Sequence, residues 1–162
     1  MKDLLDRLDA WLAAHAPTVA ASLQAPAPAK GGPWSRLEGE LGFTLPEDFR
    51  HLYAAHNGQR LKAPGVFDGL RWLSIDQVLE RYRDDDGDVG GADWPDAWVP
   101  LAGDRTHTIV VDYGEAPAPV LRVDPDGVPE PLAATLRGYL AGLVADLEAG
   151  RRRLTDRGVV VG

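Results

Sequence analysis

The chain of 162 residues contains no cysteine. It therefore has no disulfide frame, no thiolate nucleophile and no cysteine-ligated zinc, which fits a reducing compartment. No apolar run approaches the ~20 residues that a membrane-spanning helix needs. The opening segment, MKDLLDRLDAWLAAHAP, holds three aspartates where a secretory leader would need an uninterrupted apolar region. These absences predict a soluble, cytoplasmic protein that binds no membrane. Nucleotide signatures are missing too: there is no G-x-x-x-x-G-K-[ST], and no G-x-G-x-x-G between a strand and a helix. His51 and His56 are five apart and do not share a helix face, and no H-E-x-x-H occurs. His15 and His107 each stand alone in an amphipathic or strand pattern. No G-x-S-x-G elbow is present, and Ser22, Ser35 and Ser74 read as loop or cap residues. The expectation is a protein that is not an enzyme, with no catalytic residue, no cofactor and no metal site.

What the chain does have is negative charge. Seventeen basic and twenty-five acidic side chains leave a formal charge of −8. That balance repels phosphate backbones, argues against direct nucleic-acid binding and favours a basic partner. The acid is concentrated between Asp84 and Asp96, where six aspartates occur with no basic residue and with Gly87, Gly90 and Gly91 between them. This pattern reads as an exposed acidic loop. It is not an EF-hand: with Gly87 at the sixth position, Tyr82 would fall at the first and Asp93 at the twelfth, where strong ligands belong. As a docking surface it is more coherent. Asp84, Asp85, Asp86 and Asp88 would steer a basic partner, and Trp94 would offer an exposed aromatic anchor, while Trp98 reads as core.

Length predicts one domain, and 44% apolar content suffices for a sizeable core. Leu4, Leu8, Trp11, Leu12 and His15 repeat at helical spacing up to Pro17. Ala25 to Pro33, rich in Pro and Gly, reads as a mobile loop. Ser35 and Glu38 are spaced as a capping box for a short helix that closes at Gly42. A second helix is predicted with Thr44 or Leu45 at its N-cap, Pro46, Glu47 and Asp48 in its first turn, and a stop at Asn57-Gly58. Its buried face would be Leu45, Phe49, Leu52, Tyr53 and His56. Val66 to Leu73 has strand composition around Gly69. Ser74 and Gln77 form a further capping box for a helix carrying Ile75, Val78, Leu79 and Tyr82.

Strands follow at Trp98 to Leu101, His107 to Asp112 and Val120 to Val123. The last runs through the turn Asp124-Pro125-Asp126-Gly127 into Val128 as a hairpin. Leu132, Leu136, Tyr139, Leu140, Leu143 and Leu147 predict a closing helix with Gly150 as C-cap, Arg151 to Arg153 near its negative end, and a frayed or short strand after Thr155. The fold class expected is α+β, with a mostly antiparallel or mixed sheet of short strands packed against N-terminal and C-terminal helices.

The string E-x-x-L-G-x-x-L-P-x-D-x-x-x-L-Y-x-x-H-N-G, spanning Glu38 to Gly58, resembles the signature of the SUKH superfamily. Its best-known branch is the Smi/Knr-type cell-wall assembly regulator domain. The resemblance continues through Trp72-Leu73-Ser74 and Trp98 to Asp104, then His107 to Asp112. This chain carries Arg105-Thr106 where relatives often have a second glycine. The resemblance implies an α+β binding module. Bacterial members are commonly immunity proteins that neutralise a toxin, often a nuclease, and the yeast branch regulates cell-wall synthesis and signalling through protein contacts. The leading expectation is therefore an immunity protein for a basic toxin domain; the alternatives are a regulatory scaffold in cell-wall or stress signalling and, third, an enzyme acting through an unrecognised site.

Overall fold

The computed structural model describes residues 1–83 and 94–162. Asp84, Asp85, Asp86 and Asp88 thus lie outside the described residues. Four helices come first: α1 (Lys2–His15), α2 (Pro17–Ala20), α3 (Pro33–Leu41) and α4 (Glu47–Ala55). The short strand β1 (Arg71–Trp72) leads into α5 (Ile75–Arg83). Then β2 (Trp98–Gly103), β3 (Thr108–Asp112), β4 (Val120–Val123) and β5 (Pro129–Ala133) follow in succession, and α6 (Leu136–Glu148) precedes a terminal hairpin, β6 (Arg152–Thr155) and β7 (Gly158–Val161).

β1 to β5 pair in chain order, every pair antiparallel, and β6–β7 form a separate two-stranded sheet. The architecture is the expected α+β domain. Successive side chains of a strand face opposite sides. Trp72, Val99, Leu101, Ile109, Val111 and Val120 accordingly join one large core with Leu8, Leu12, Phe49, Leu52 and Leu140 from the helices. Trp98, Val110, Leu121 and Val123 form a smaller cluster on the other face.

Local signals set most helix ends. The Ser74 and Gln77 box is present, with Gln77 Oε1 accepting from Ser74 N at 3.0 Å and Ser74 Oγ accepting from Gln77 N at 3.3 Å. Thr135 caps α6 by accepting from Gly138 N at 3.0 Å. Gly58 needs its positive φ of 72° and its missing side chain, because a Cβ there would lie 2.5 Å from Ser74 N.

Elsewhere tertiary partners override the local pattern. Ser35 and Glu38 do not make a capping box: α3 starts at Gly32-Pro33. Glu38 instead accepts from Leu45 N at 2.8 Å and pairs with Arg50, bracing the α3–α4 turn. α4 begins one to two residues later than expected, with Pro46 as N-cap, and ends at Ala55. Asn57, expected to stop that helix, serves the next one by accepting from Ile75 N at 3.0 Å. Leu132 belongs to β5 rather than to the closing helix. The Pro-rich segment predicted to be mobile is hydrogen-bonded to α4 and to the chain just past it: Ala27 N donates to Tyr53 O at 2.9 Å and Asn57 N to Ala25 O at 3.1 Å, while Trp34 Nε1 donates to Pro28 O at 2.7 Å.

Phe49 is fully buried and stacks on Tyr53 with ring centroids 4.9 Å apart. Phe49→Ala should cost about 3 kcal/mol in chemical denaturation, from lost apolar burial plus a cavity. Wild-type stability in that variant would contradict the packing of α4 on the sheet.

Candidate functional site

Of the residues expected to bind a partner, only Trp94 lies among the described ones, and its position corrects the expectation. It is half-buried rather than exposed, packing against the small outer cluster with its ring 5.9 Å from that of Trp98 at 65°. Its Nε1 is shielded from solvent and has no hydrogen-bond partner. The sheet's outer face is apolar around Trp98, Val110, Leu121 and Val123, so an indole next to them lowers the free energy more by covering that patch than by standing in water. Trp98 is core, as expected. Tyr82 of α5 donates from Oη to Asp96 O at 3.0 Å.

The histidines are placed by structure. His15 stacks on Trp11 at 4.7 Å, and His51 is exposed. His56 bridges α1 to the chain after α2, with Nε2 2.9 Å from the Asp9 carboxylate and Nδ1 3.2 Å from Gln24 O. His107 sits beside the Thr106 hydroxyl at 2.8 Å and 3.5 Å from Asp124. Two buried tyrosines are tied up in the same manner. The Tyr53 hydroxyl donates to Leu73 O at 2.8 Å, and burial pushes its pKa well up. Tyr139 donates to Asp68 at 2.6 Å, and Asp68 also pairs with Arg152 of the terminal hairpin. Burial, then the neighbouring Asp68, raises the Tyr139 pKa. Among the described residues no cluster of three His, Asp or Glu could hold a metal ion. No described helix is long and apolar enough to cross a membrane.

A feature that periodicity did not reveal lies where β1, the end of α5 and the β2–β3 turn meet the Leu61–Ala63 loop. An open cavity of about 810 Å³ is lined there by Lys62, Arg71, Arg81 and Arg105 with Leu61 and Gly103. Arg81 donates to the carbonyl of Asp104. Partial burial lowers the pKa of Arg71. The β2–β3 turn through Arg105-Thr106 is closed by a side chain: Asp104 Oδ1 accepts from Thr106 N and His107 N, each at 2.8 Å. Burial alone would raise the Asp104 pKa, but these two backbone bonds, the Thr106 hydroxyl and His107 outweigh it, so the carboxyl is held below its ordinary value. No sequence pattern marks this cleft, because its cations come from four separate segments.

The model of the SMI1/KNR4 family (SUKH-1) matches residues 28–142. The match runs from the loop before α3 into α6. No curated protein matches the chain.

Proposed function

Because the chain belongs to the SMI1/KNR4 (SUKH-1) family, we propose that it is a non-enzymatic, protein-binding module, and specifically an immunity protein that neutralises a cognate bacterial toxin by direct contact. The observation that carries this reading is the family match, which takes in the Glu38 to Gly58 signature together with β1 to β5. Composition supports it: a net charge of −8 suits a partner whose own groove is basic, as a nuclease groove must be to hold phosphate. Four polar side chains add support: Tyr53, Tyr139, Asp68 and Gln59 are engaged in structural hydrogen bonds rather than converging on a substrate cavity.

The decisive experiment is co-expression with any toxin-domain protein that sequencing of the neighbouring genes reveals beside this chain. Restored growth and a complex that survives gel filtration are expected. Unchanged killing, or capture of non-toxin partners alone, would favour the regulatory scaffold. Replacing Asp84, Asp85, Asp86 and Asp88 with Asn should slow association with that toxin about 10-fold at low salt and flatten its salt dependence. The thermal midpoint should stay nearly unchanged. An unaltered association rate at low salt would remove the acidic segment from the interface.

A further inference from the structure

An exposed strand edge offers unpaired N–H and C=O groups to any extended chain, so folded proteins cover or guard their edges. Of the four edges that the two sheets have among the described residues, three are protected. β1 is covered by Gln59, whose N donates to Trp72 O at 2.9 Å and whose Oε1 accepts from Trp72 N at 3.0 Å. β5 carries Pro129 and Pro131, which have no N–H to give. β7 is held by the 65–69 loop, since Val159 N donates to Gly65 O at 2.9 Å and Gly69 N to Val159 O at 2.7 Å. The fourth edge is that of β6.

Pairing in the terminal hairpin decides which groups β6 presents. Leu154 stands opposite Val159, and Arg152 opposite Val161. Because Val159 directs both its N–H and its C=O to the 65–69 loop, Val159 and Leu154 form a non-hydrogen-bonded pair, and so, two residues along, do Val161 and Arg152. The N–H and C=O of Leu154 and Arg152 therefore point off the free edge, and no described group bonds to them. The side chains leave it open as well. Leu154 is 44% exposed and Val161 64%, and they are diagonal neighbours on the face that holds the buried Val159. Residues 151–162 hold four arginines and one acid in a chain of net charge −8. Arg151 pairs with Asp146 and Arg152 with Asp68, whereas Arg153 and Arg157 are exposed and have no carboxylate partner among the described residues.

We propose that β6 is a docking edge for an extended acidic segment of a partner protein, which adds a strand to β6 and β7 and alternates acidic with apolar residues. Main-chain hydrogen bonds to Arg152 and Leu154 hold such a strand, and its side chains fall alternately on the two faces. A residue on the face of Leu154 covers that side chain if it is apolar. Its neighbour lies on the face of Arg153 and answers that charge if it is acidic. A second copy of this chain is a poorer occupant. The symmetric register that bonds Arg152 of each copy to Leu154 of the other sets the two Arg153 side chains directly opposite one another, and like charges so placed destabilise a pair. β6 and β7 lie outside the residues 28–142 that the family model matches. A basic toxin groove would be repelled by this edge, so the site stands apart from the toxin-binding reading and does not depend on it.

The test is titration of the full chain with short capped peptides that alternate Glu with Val or Lys with Val, followed by amide NMR. Saturable binding of the Glu-Val peptide is expected, with slowed exchange of the Arg152 and Leu154 amides, and much weaker binding of the Lys-Val peptide. Leu154→Pro removes one outward N–H and no hydrogen bond of the hairpin, and should weaken Glu-Val binding about 10-fold. Arg153→Glu should reverse the preference, so that the Lys-Val peptide binds the tighter. Arg153 is exposed, so this variant decides the matter if Leu154→Pro fails to fold. Absence of saturable Glu-Val binding, equal binding of the two peptides, or protection confined to residues outside β6 would each overturn the proposal. So would unaltered affinity in a folded Leu154→Pro or an unaltered preference in Arg153→Glu. A dimer in sedimentation equilibrium that Leu154→Pro abolishes would also overturn it, because a second copy would then fill the edge.

Discussion

Gln59→Leu should destabilise the protein by about 4 kcal/mol, more than most losses of a core methyl group, although glutamine is neither charged nor aromatic. The side chain is fully buried and uses its whole hydrogen-bonding capacity. Its Nε2 donates to Ser22 Oγ at 2.7 Å and Pro64 O at 2.9 Å. Its Oε1 accepts from Val66 N at 3.1 Å and Trp72 N at 3.0 Å. One amide therefore joins the chain after α2, the Pro64–Val66 loop and β1. Leucine has nearly the same volume but leaves two buried N–H groups without acceptors, each at a cost of about 1–3 kcal/mol.

Glutamate is the informative companion. Gln59→Glu keeps both acceptor roles and loses both donor roles, so its carboxyl would sit buried against the Pro64 carbonyl. Burial disfavours the charged form and raises the folded-state pKa above the unfolded one. The variant's deficit should consequently grow as pH rises through the carboxylate range, because the native state then binds more protons than the unfolded state. Urea denaturation at acid and neutral pH measures both effects. A Leu variant within about 1 kcal/mol of wild type would show that the amide does not hold these segments together.

Gly158→Ala should cost about 3–4 kcal/mol and act first on the terminal hairpin. Gly158 has φ +120°, a region that L side chains rarely adopt. Its α-carbon also faces Gly65 in a parallel bridge so close that an added Cβ would overlap the Gly65 carbonyl oxygen and stand 2.7 Å from the Gly65 carbonyl carbon. The neighbour is backbone and has no rotamer to change. Relief requires the hairpin to move away, which sacrifices the bonds from Gly65 N to Arg157 O at 2.6 Å, from Val159 N to Gly65 O at 2.9 Å and from Gly69 N to Val159 O at 2.7 Å. Amide exchange should therefore accelerate in residues 152–161 before it does in β2 and β3. Uniform acceleration across the molecule would mean that the hairpin and the main sheet open as one unit.

The helices were legible because their information is local. The spacing of Leu4, Leu8 and Leu12, the first-turn acids Glu47 and Asp48, and the Ser74–Gln77 box each act over one or two turns. The hairpin through Gly127 was equally readable, since Gly127 N closes the turn onto Asp124 O at 2.9 Å. The expectations that failed share a cause. Glu38 left its box for Leu45 and Arg50, the Ala25–Pro33 segment found the Tyr53 carbonyl on α4 and the Asn57 amide just past its end, and Trp94 turned onto Trp98. In each case a residue distant along the chain offered a better contact than the local alternative.

The amino-acid order alone determined the element types, most of their ends, the family resemblance and the long-range electrostatic character, since periodicity, capping and net charge are properties of short windows or simple sums. Tertiary structure alone decided that Gln59 would bridge three segments, that Gly158 would lie against Gly65, and that Lys62, Arg71, Arg81 and Arg105 would surround one cleft. Those arrangements depend on strand register and loop closure, which bring together residues far apart in sequence and leave no repeating mark in it.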